Sequence, residues 1–389
     1  MATVVGTNNP AVDIPAVQAA VNLGGDVLLE GHFSFNSAPT VPVAPALQAA
    51  GYPEATILVS KAVTISGAPG AKIDGGTIPF YVDASGASVT IQGLHFTGPT
   101  ARGIVVYAAN GLTIANCKID GVVPFGTPTP TSAAIGIDTS GGVPTPASPG
   151  TPQNIYGRVV VIDNQLDLSG GTSSDNTLGI TVFSVGLLPN NEADVYIVGN
   201  KIRNITEPAI NLRRIGGRAY VEGNDIDTGS VSGQAEPPEV IRAVNTGSYV
   251  IAHNTIQCEW PDPQAVGIGV FSQIQSWPMV QALVADNSVT MSPPPATPFN
   301  GLSAGIDIRG FANSNVVMNN KIQGNARAAL ALDTFKGGSP ANNTLIDNDV
   351  TGFTASTKDT VIGSGVTNTL LLAQGGTIED DGTGTVILP

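Results

Sequence analysis

Arg213, Arg214, Arg242 and Arg309 are four of only sixteen basic residues in the chain, and each falls in or beside a short β-branched stretch. Asp307 and Asp333 occur in equivalent stretches, as do Tyr107, Asp138, Phe183, Asn211, Gly269 and Phe271. Guanidinium forks bind carboxylates and aromatic faces cover the apolar side of a sugar ring, so this mixture describes a groove for an acidic saccharide. Two reactions fit such a groove. Glycoside hydrolysis needs paired carboxyl groups, about 5–5.5 Å apart for retention and 6.5–9.5 Å for inversion, and Asp307 with Asp333 supplies a pair. β-Elimination from a uronate needs a cation on the carboxylate, which Arg213 and Arg242 offer; an arginine acting as base requires a strongly lowered pKa. The competing account of the whole set is cross-strand packing, because aromatic and ionic neighbours also stabilise sheets.

A recurring frame must position these residues: a β-branched run, a small or polar residue, Asn, any residue and an aliphatic. It places Asn164, Asn200, Asn224, Asn254, Asn287, Asn320 and Asn348 in one slot, shared by Leu94 and Cys117, at steps of 23, 47, 36, 24, 30, 33, 33 and 28 residues. A minimum near 23 residues, with Pro/Gly/Ser-rich inserts making up the excess, is the pattern of a solenoid with variable loops. Each coil reads as three short strands around a narrow core. At one corner Asn offers both donor and acceptor to the coils on either side, forming a ladder at about 4.8 Å spacing.

Charged residues make up 12% of the 389-residue chain, with 47 Gly and 29 Pro, which suits many turns around a slim apolar core. The repeat continues almost from end to end, so residues 1–389 read as one elongated domain. A net charge of −14 speaks against nucleic acid or an anionic membrane as partner. No apolar run is long enough to span a membrane. The first residues, MATVVGTNNPAVDIP, show no signal peptide, so a secreted or cell-surface location requires that one has been removed. Cys117 and Cys258 lie four coils apart, roughly 19 Å, and are expected to be free thiols. No pair among His32, His95 and His253 has metal-ligand spacing; no cofactor is expected, with calcium as the alternative although the sequence shows no dense carboxylate cluster. The oligomeric state is not legible.

Residues 10–25 contain the one convincing helix. Asp13 is expected to cap it, Pro15 to lie in its first turn and Gly24 to end it, with Val17, Val21 and Leu23 covering the open end of the solenoid. This opening, DIPAVQAAVNLGGDVLLEGHFSFN, followed by VTISGAPGAKIDGG, resembles the start of pectate-lyase-like right-handed β-helix proteins. The ending VTNTLLLAQGGTIEDDGTGTVI, within terminal coils at 351–389, resembles the last coils of bacterial right-handed β-helix repeat proteins. The resemblance implies an all-β, single-stranded right-handed parallel β-helix with an N-terminal capping helix. It also implies a protein that binds or acts on a polysaccharide or oligosaccharide, as a lyase, a glycoside hydrolase or a non-catalytic surface protein. The chain has neither the Asp-Pro-His-Asp motif of mannuronan epimerases nor the Gly-His-Gly and paired Asp of polygalacturonase-like hydrolases.

In that superfamily the ladder marks the second corner, so the run after the third strand is the first sheet. Its inward pairs are Ile104/Val106, Ile135/Ile137, Ile180/Val182, Ile210/Leu212, Ile241/Ala243, Ile268/Val270, Ile306/Ile308 and Leu330/Leu332. Alternation then aligns two outward columns. One is Val105, Gly136, Thr181, Asn211, Arg242, Gly269, Asp307 and Ala331; the other is Tyr107, Asp138, Phe183, Arg213, Val244, Phe271, Arg309 and Asp333. Loops at 120–132, 139–157, 167–177, 184–194, 227–239, 257–266 and 291–303 are expected to wall the groove. Within it, Arg309 should pair with Asp333. Gly269 should leave ligand space between Arg242 and Asp307, which has no charge partner in its own column.

Overall fold

The structure, a computed structural model, describes residues 1–36, 41–49, 54–122, 132–138, 155–169, 177–187, 192–231, 239–245, 247–275, 281–292 and 303–389. The β-branched runs pair in parallel with the equivalent run one coil on. Val195 and Ile197 stand opposite Ala219 and Val221, then Tyr249 and Ile251, then Ala282 and Val284. Alternation buries this set and leaves Tyr196, Tyr220, Val250 and Leu283 half-buried on the outer side of the second sheet. The third sheet is built from short strands such as Lys118–Asp120, Lys201–Arg203 and Asp225–Asp227, whose central residues Ile119, Ile202 and Ile226 point inward. First and second sheets are joined by the long strand Arg102–Ala115, which pairs with Ser132–Asp138 over its first half and Ile155–Ile162 over its second. One contiguous core runs from Ile14 to Leu371. The result is a parallel β-helix.

The first-sheet register matches the alignment of inward pairs at every coil from Ile104/Val106 to Leu330/Leu332. The expected ladder is present. Each Asn from Asn164 to Asn320 donates from its backbone N–H and its Nδ2 to the Oδ1 of the next, at 2.9–3.1 Å. The other Nδ2 proton goes to a carbonyl one coil back, Val221 in the case of Asn254. Cys117 joins through its N–H to Asn164, and the ladder continues beyond Asn348 to Gln374. The small or polar residue before each slot has its own cause. Gly93, Asn116, Asp163, Gly199, Gly223, His253, Asp286, Asn319 and Asp347 all have φ between 45° and 67°. The corner therefore needs the left-handed conformation that Gly, Asn and Asp tolerate best.

The helix spans Pro10–Leu23, and here the expected cap changes. Asn9 is the N-cap, accepting from the Ala11 N–H, and Pro10 occupies the first turn. Asp13 lies inside the helix, where its carboxylate accepts from Thr7, Asn9 and Ser34 and ties the chain start to the third sheet. Gly24 ends the helix at φ 74° as expected. Ile14, Val17, Ala20 and Val21 enter the core, whereas Leu23 is exposed. Cys117 and Cys258 are both free and buried.

Replacing Asn254 by Leu removes the acceptor of the Asn224 N–H and Nδ2 and the side-chain donor to the Val221 carbonyl, while Asn287 Oδ1 keeps the backbone N–H of residue 254; the loss is expected to cost about 3 kcal/mol. Cys117→Ala removes no ladder amide and should cost about 1 kcal/mol. Denaturant titration of the two variants checks the order; equal losses would contradict the ladder's role.

Candidate functional site

The outward columns of the first sheet are placed as aligned, yet most of their polar residues are not exposed. Arg242 retains 5% of its accessible surface, Arg309 2% and Asp307 none, and Asn211, Phe183 and Phe271 are buried as well. A guanidinium leaves water only with compensating partners. Those partners come from Glu239, a residue the alternation assigns to the inner set with Ile241 and Ala243. Its Oε2 accepts from Arg242, and its Oε1 accepts from Arg309 across the intervening coil. The Glu239 side chain lies over Gly269, where an added Cβ would stand 2.6 Å from its Cγ. The space at Gly269 expected to admit a ligand is therefore occupied by the protein's own carboxylate. The positional signal was a glycine between two arginine-bearing or acid-bearing coils; period-two alternation concealed which residue filled it.

One expected pairing changes, and one further pairing links the two columns. Asp307 does have a charge partner, on its own strand: its Oδ2 accepts from Arg309 Nη1 at 2.5 Å. Asp333 pairs with Arg327, which precedes its strand, in place of Arg309. The Arg309 guanidinium carbon lies 4.3 Å from the Phe271 ring centre and 4.9 Å from that of Phe335, a residue the alignment did not select. The guanidinium that Glu239 and Asp307 pair is thus also held against two aromatic ring faces.

Its electrostatics are uneven. Burial would raise the Glu239 carboxyl, but Arg242 and Arg309 together outweigh it and hold the group below the ordinary range. Burial pushes Asp307 up to about 7 against the pull of Arg309, and the neighbouring Asp333 adds to the rise. Asp307 shares its one cation with Glu239, and its Oδ1 has no hydrogen-bond partner among the described residues. Asp333 is raised too, by burial opposed by Arg327 and then Arg309. Asp307 is consequently the carboxyl poised to hold a proton near neutrality.

Elsewhere on the face, Arg213 is partly exposed, its guanidinium 5.5 Å from the Phe183 ring and its Nε donating to Asn211. Tyr107 sits at a bulge, its ring 6.4 Å from Tyr81, beside a satellite apolar cluster of Val43, Leu47, Ala55, Ile78, Tyr81, Ala101 and Val105. Val43, Leu47 and Ala55 thereby cover the N-terminal end of the face. The Asp138 side chain lies outside the described residues, as does most of the expected walls at 120–132, 139–157, 167–177, 227–239 and 291–303. Among the described residues no group of three or more His, Cys, Asp or Glu converges on a metal position.

In-register parallel coils with an Asn corner define the fold of the pectate-lyase-like parallel β-helix proteins. Among solved structures the chain is similar to PfbA, a surface adhesin of Streptococcus pneumoniae, at 12% identity and a TM-score of 0.59, covering 92% of this chain and 91% of that one. It is also similar to the Dettilon tailspike protein at 14% identity and 0.47, covering 98% and 68%. The A-module of the Azotobacter vinelandii mannuronan C-5 epimerase AlgE4 follows at 13% identity and 0.37, covering 90% and 95%. No protein-family model and no curated protein matches the chain.

Gly269→Ala should displace Glu239 from both arginines and cost about 3 kcal/mol or more, measured as a lower denaturation midpoint. A midpoint within experimental error of the parent would overturn the placement of Glu239.

Asp307 gives a pH test. Its folded pKa of about 7 lies above the ordinary 3.8. The unfolded chain therefore loses this proton first, and stability falls as pH rises between about 4 and 7, then levels off. Asp307→Asn keeps an oxygen for Arg309 and removes the ionisation. Its melting temperature should vary less over that window and exceed the parent's at about pH 8, with Asp333 supplying the residual slope.

Proposed function

We propose that the chain is a glycan-binding solenoid of extracellular or surface location that holds an acidic oligosaccharide on the outer face of its first sheet without cleaving it. The observation that carries this reading is the closed network of Glu239, Arg242, Arg309 and Asp307: the groups suited to acid–base or uronate chemistry neutralise one another out of reach of solvent. What the face presents is a rigid relief in which Arg213, Asp333, Phe335 and Tyr107 are partly exposed. Arg213 is the anchor for a carboxylate, with Asn211 and Phe183 fixing its direction and Phe271 and Arg309 setting the surface beside it. The adhesin role of PfbA, which shares the fold, is compatible with this use. On this reading residues 1–389 form one right-handed solenoid, with the helix Pro10–Leu23 covering its first coil.

A hydrolytic reading has one observation in its favour. Asp307 combines a carboxyl raised to about 7 with an unpartnered oxygen, beside Asp333, the pairing a glycosidase would need once the face opens. Elimination is less favoured, because Arg242 is paired with Glu239.

A panel of neutral and uronic polysaccharides, read by binding, by reducing ends and by absorbance of an unsaturated product, separates these. A uronic polysaccharide should bind with no product of either kind, and Arg213→Ala should weaken binding about ten-fold or more. Release of reducing ends that is lost in Asp307→Asn would establish hydrolysis instead, and no binding at all would leave a structural solenoid.

A further inference from the structure

The outer side of the second sheet carries a stack that the first-sheet groove does not involve. Tyr196 and Tyr220 occupy the same position in successive coils, their rings 4.9 Å apart and 7° from parallel. The Arg158 guanidinium covers the other face of Tyr196 at 4.9 Å. The order is thus guanidinium, ring, ring. In the next two coils the same column holds Val250 and Leu283, side chains too short to continue the stack. A hollow of about 360 Å³ opens there, lined by Arg218, Tyr220, Ser248, Tyr249, Val250, Gln281 and Leu283.

Its walls are chemically sorted. The outer ring face of Tyr220 closes one end and Val250 with Leu283 form an apolar floor. Arg218, Ser248 and Gln281 make a polar column along one side. Short side chains continue in the Tyr220 column with Val316, so at least the roughly 10 Å of two coils is open along the axis, room for a ring laid parallel to Tyr220. A hexopyranose has the matching faces: C–H groups for the aromatic ring and the apolar floor, and equatorial hydroxyls for Ser248, Gln281 and the guanidinium N–H groups of Arg218 beyond the one bonded to the Tyr220 side chain. An aromatic amino-acid ring would leave that polar column without partners.

We propose that this hollow is a saccharide subsite, in which a pyranose ring stacks on Tyr220 as the fourth layer after Arg158 and Tyr196. It is separate from the first-sheet face and stands or falls independently of the binding proposed there.

The test titrates the full chain with the methyl glycosides of glucose, galactose, mannose, N-acetylglucosamine and glucuronic acid while the ring resonances of Tyr220 are followed by NMR. At least one glycoside should shift them saturably. Val250→Tyr, which places a protein ring in the open layer at a surface position where the preceding coil already carries Tyr, should keep the melting temperature and reduce affinity at least ten-fold. Tyr220→Ala, followed through the ring resonances of Tyr196, should also reduce affinity at least ten-fold, whereas Arg213→Ala should leave the Tyr220 response unchanged. The assignment is overturned if no glycoside moves these resonances at tens of millimolar, if Val250→Tyr binds as the parent does, or if Arg213→Ala abolishes the response.

Discussion

Parallel coils in register put every side chain about 4.8 Å from its counterpart, so a residue is judged by the column it stands in more than by its own sequence neighbours. The buried Asn corner enforces that register. Each amide is satisfied only if the next coil presents an amide at the same height, and a slip by one residue would send the whole inward set to the surface. The left-handed residue before each slot turns the chain so that the amide faces its equivalents. From that corner the geometry of both outer faces follows: the charge network on the first sheet and the ring stack on the second are columns seen from outside.

The charge network of the first sheet depends on one interruption of a column. Between Arg242 and Asp307 the column carries Gly269, and the missing side chain makes room for Glu239 to reach two arginines on different coils. The arrangement gives one carboxylate a larger share of the positive charge than the other. Glu239 stays ionised in a dry site, while Asp307, left with half of one guanidinium, is driven toward its neutral form. Breaking either arginine contact would weaken the compensation of a buried charge, which makes this patch a point of rigidity in the first sheet.

The period of the ladder, the inward pairs and both outward columns were legible from residue types because β-branched alternation and a repeated Asn are local signals. Exposure was not. Outward from a strand means outward from the solenoid core, and Arg309 and Phe271 show that such a position can still be covered. Glu239 was hidden by the rule that found the others, since its position shares parity with buried Ile241 while its side chain meets the outward columns. Asn9 was passed over as helix cap because Asp13 has the same preference and sits nearer the apolar run; the four acceptor contacts of Asp13 depend on Thr7 and Ser34, which only the folded chain brings together. The Tyr196 and Tyr220 stack was implicit in the frame around Asn200 and Asn224, but the hollow beyond it exists only because Val250 and Leu283 are short.

The two buried thiols have a use that follows from where they sit. Cys117 occupies a rung of the ladder and Cys258 lies in the third sheet four coils further on, each pushed up to about 12 by burial and so unreactive while its coil is closed. A thiol reagent can reach them only when the local coils part. Their separate labelling rates therefore time the opening of two places along the axis, and distinguish a solenoid that frays coil by coil from one that comes apart as a single cooperative body.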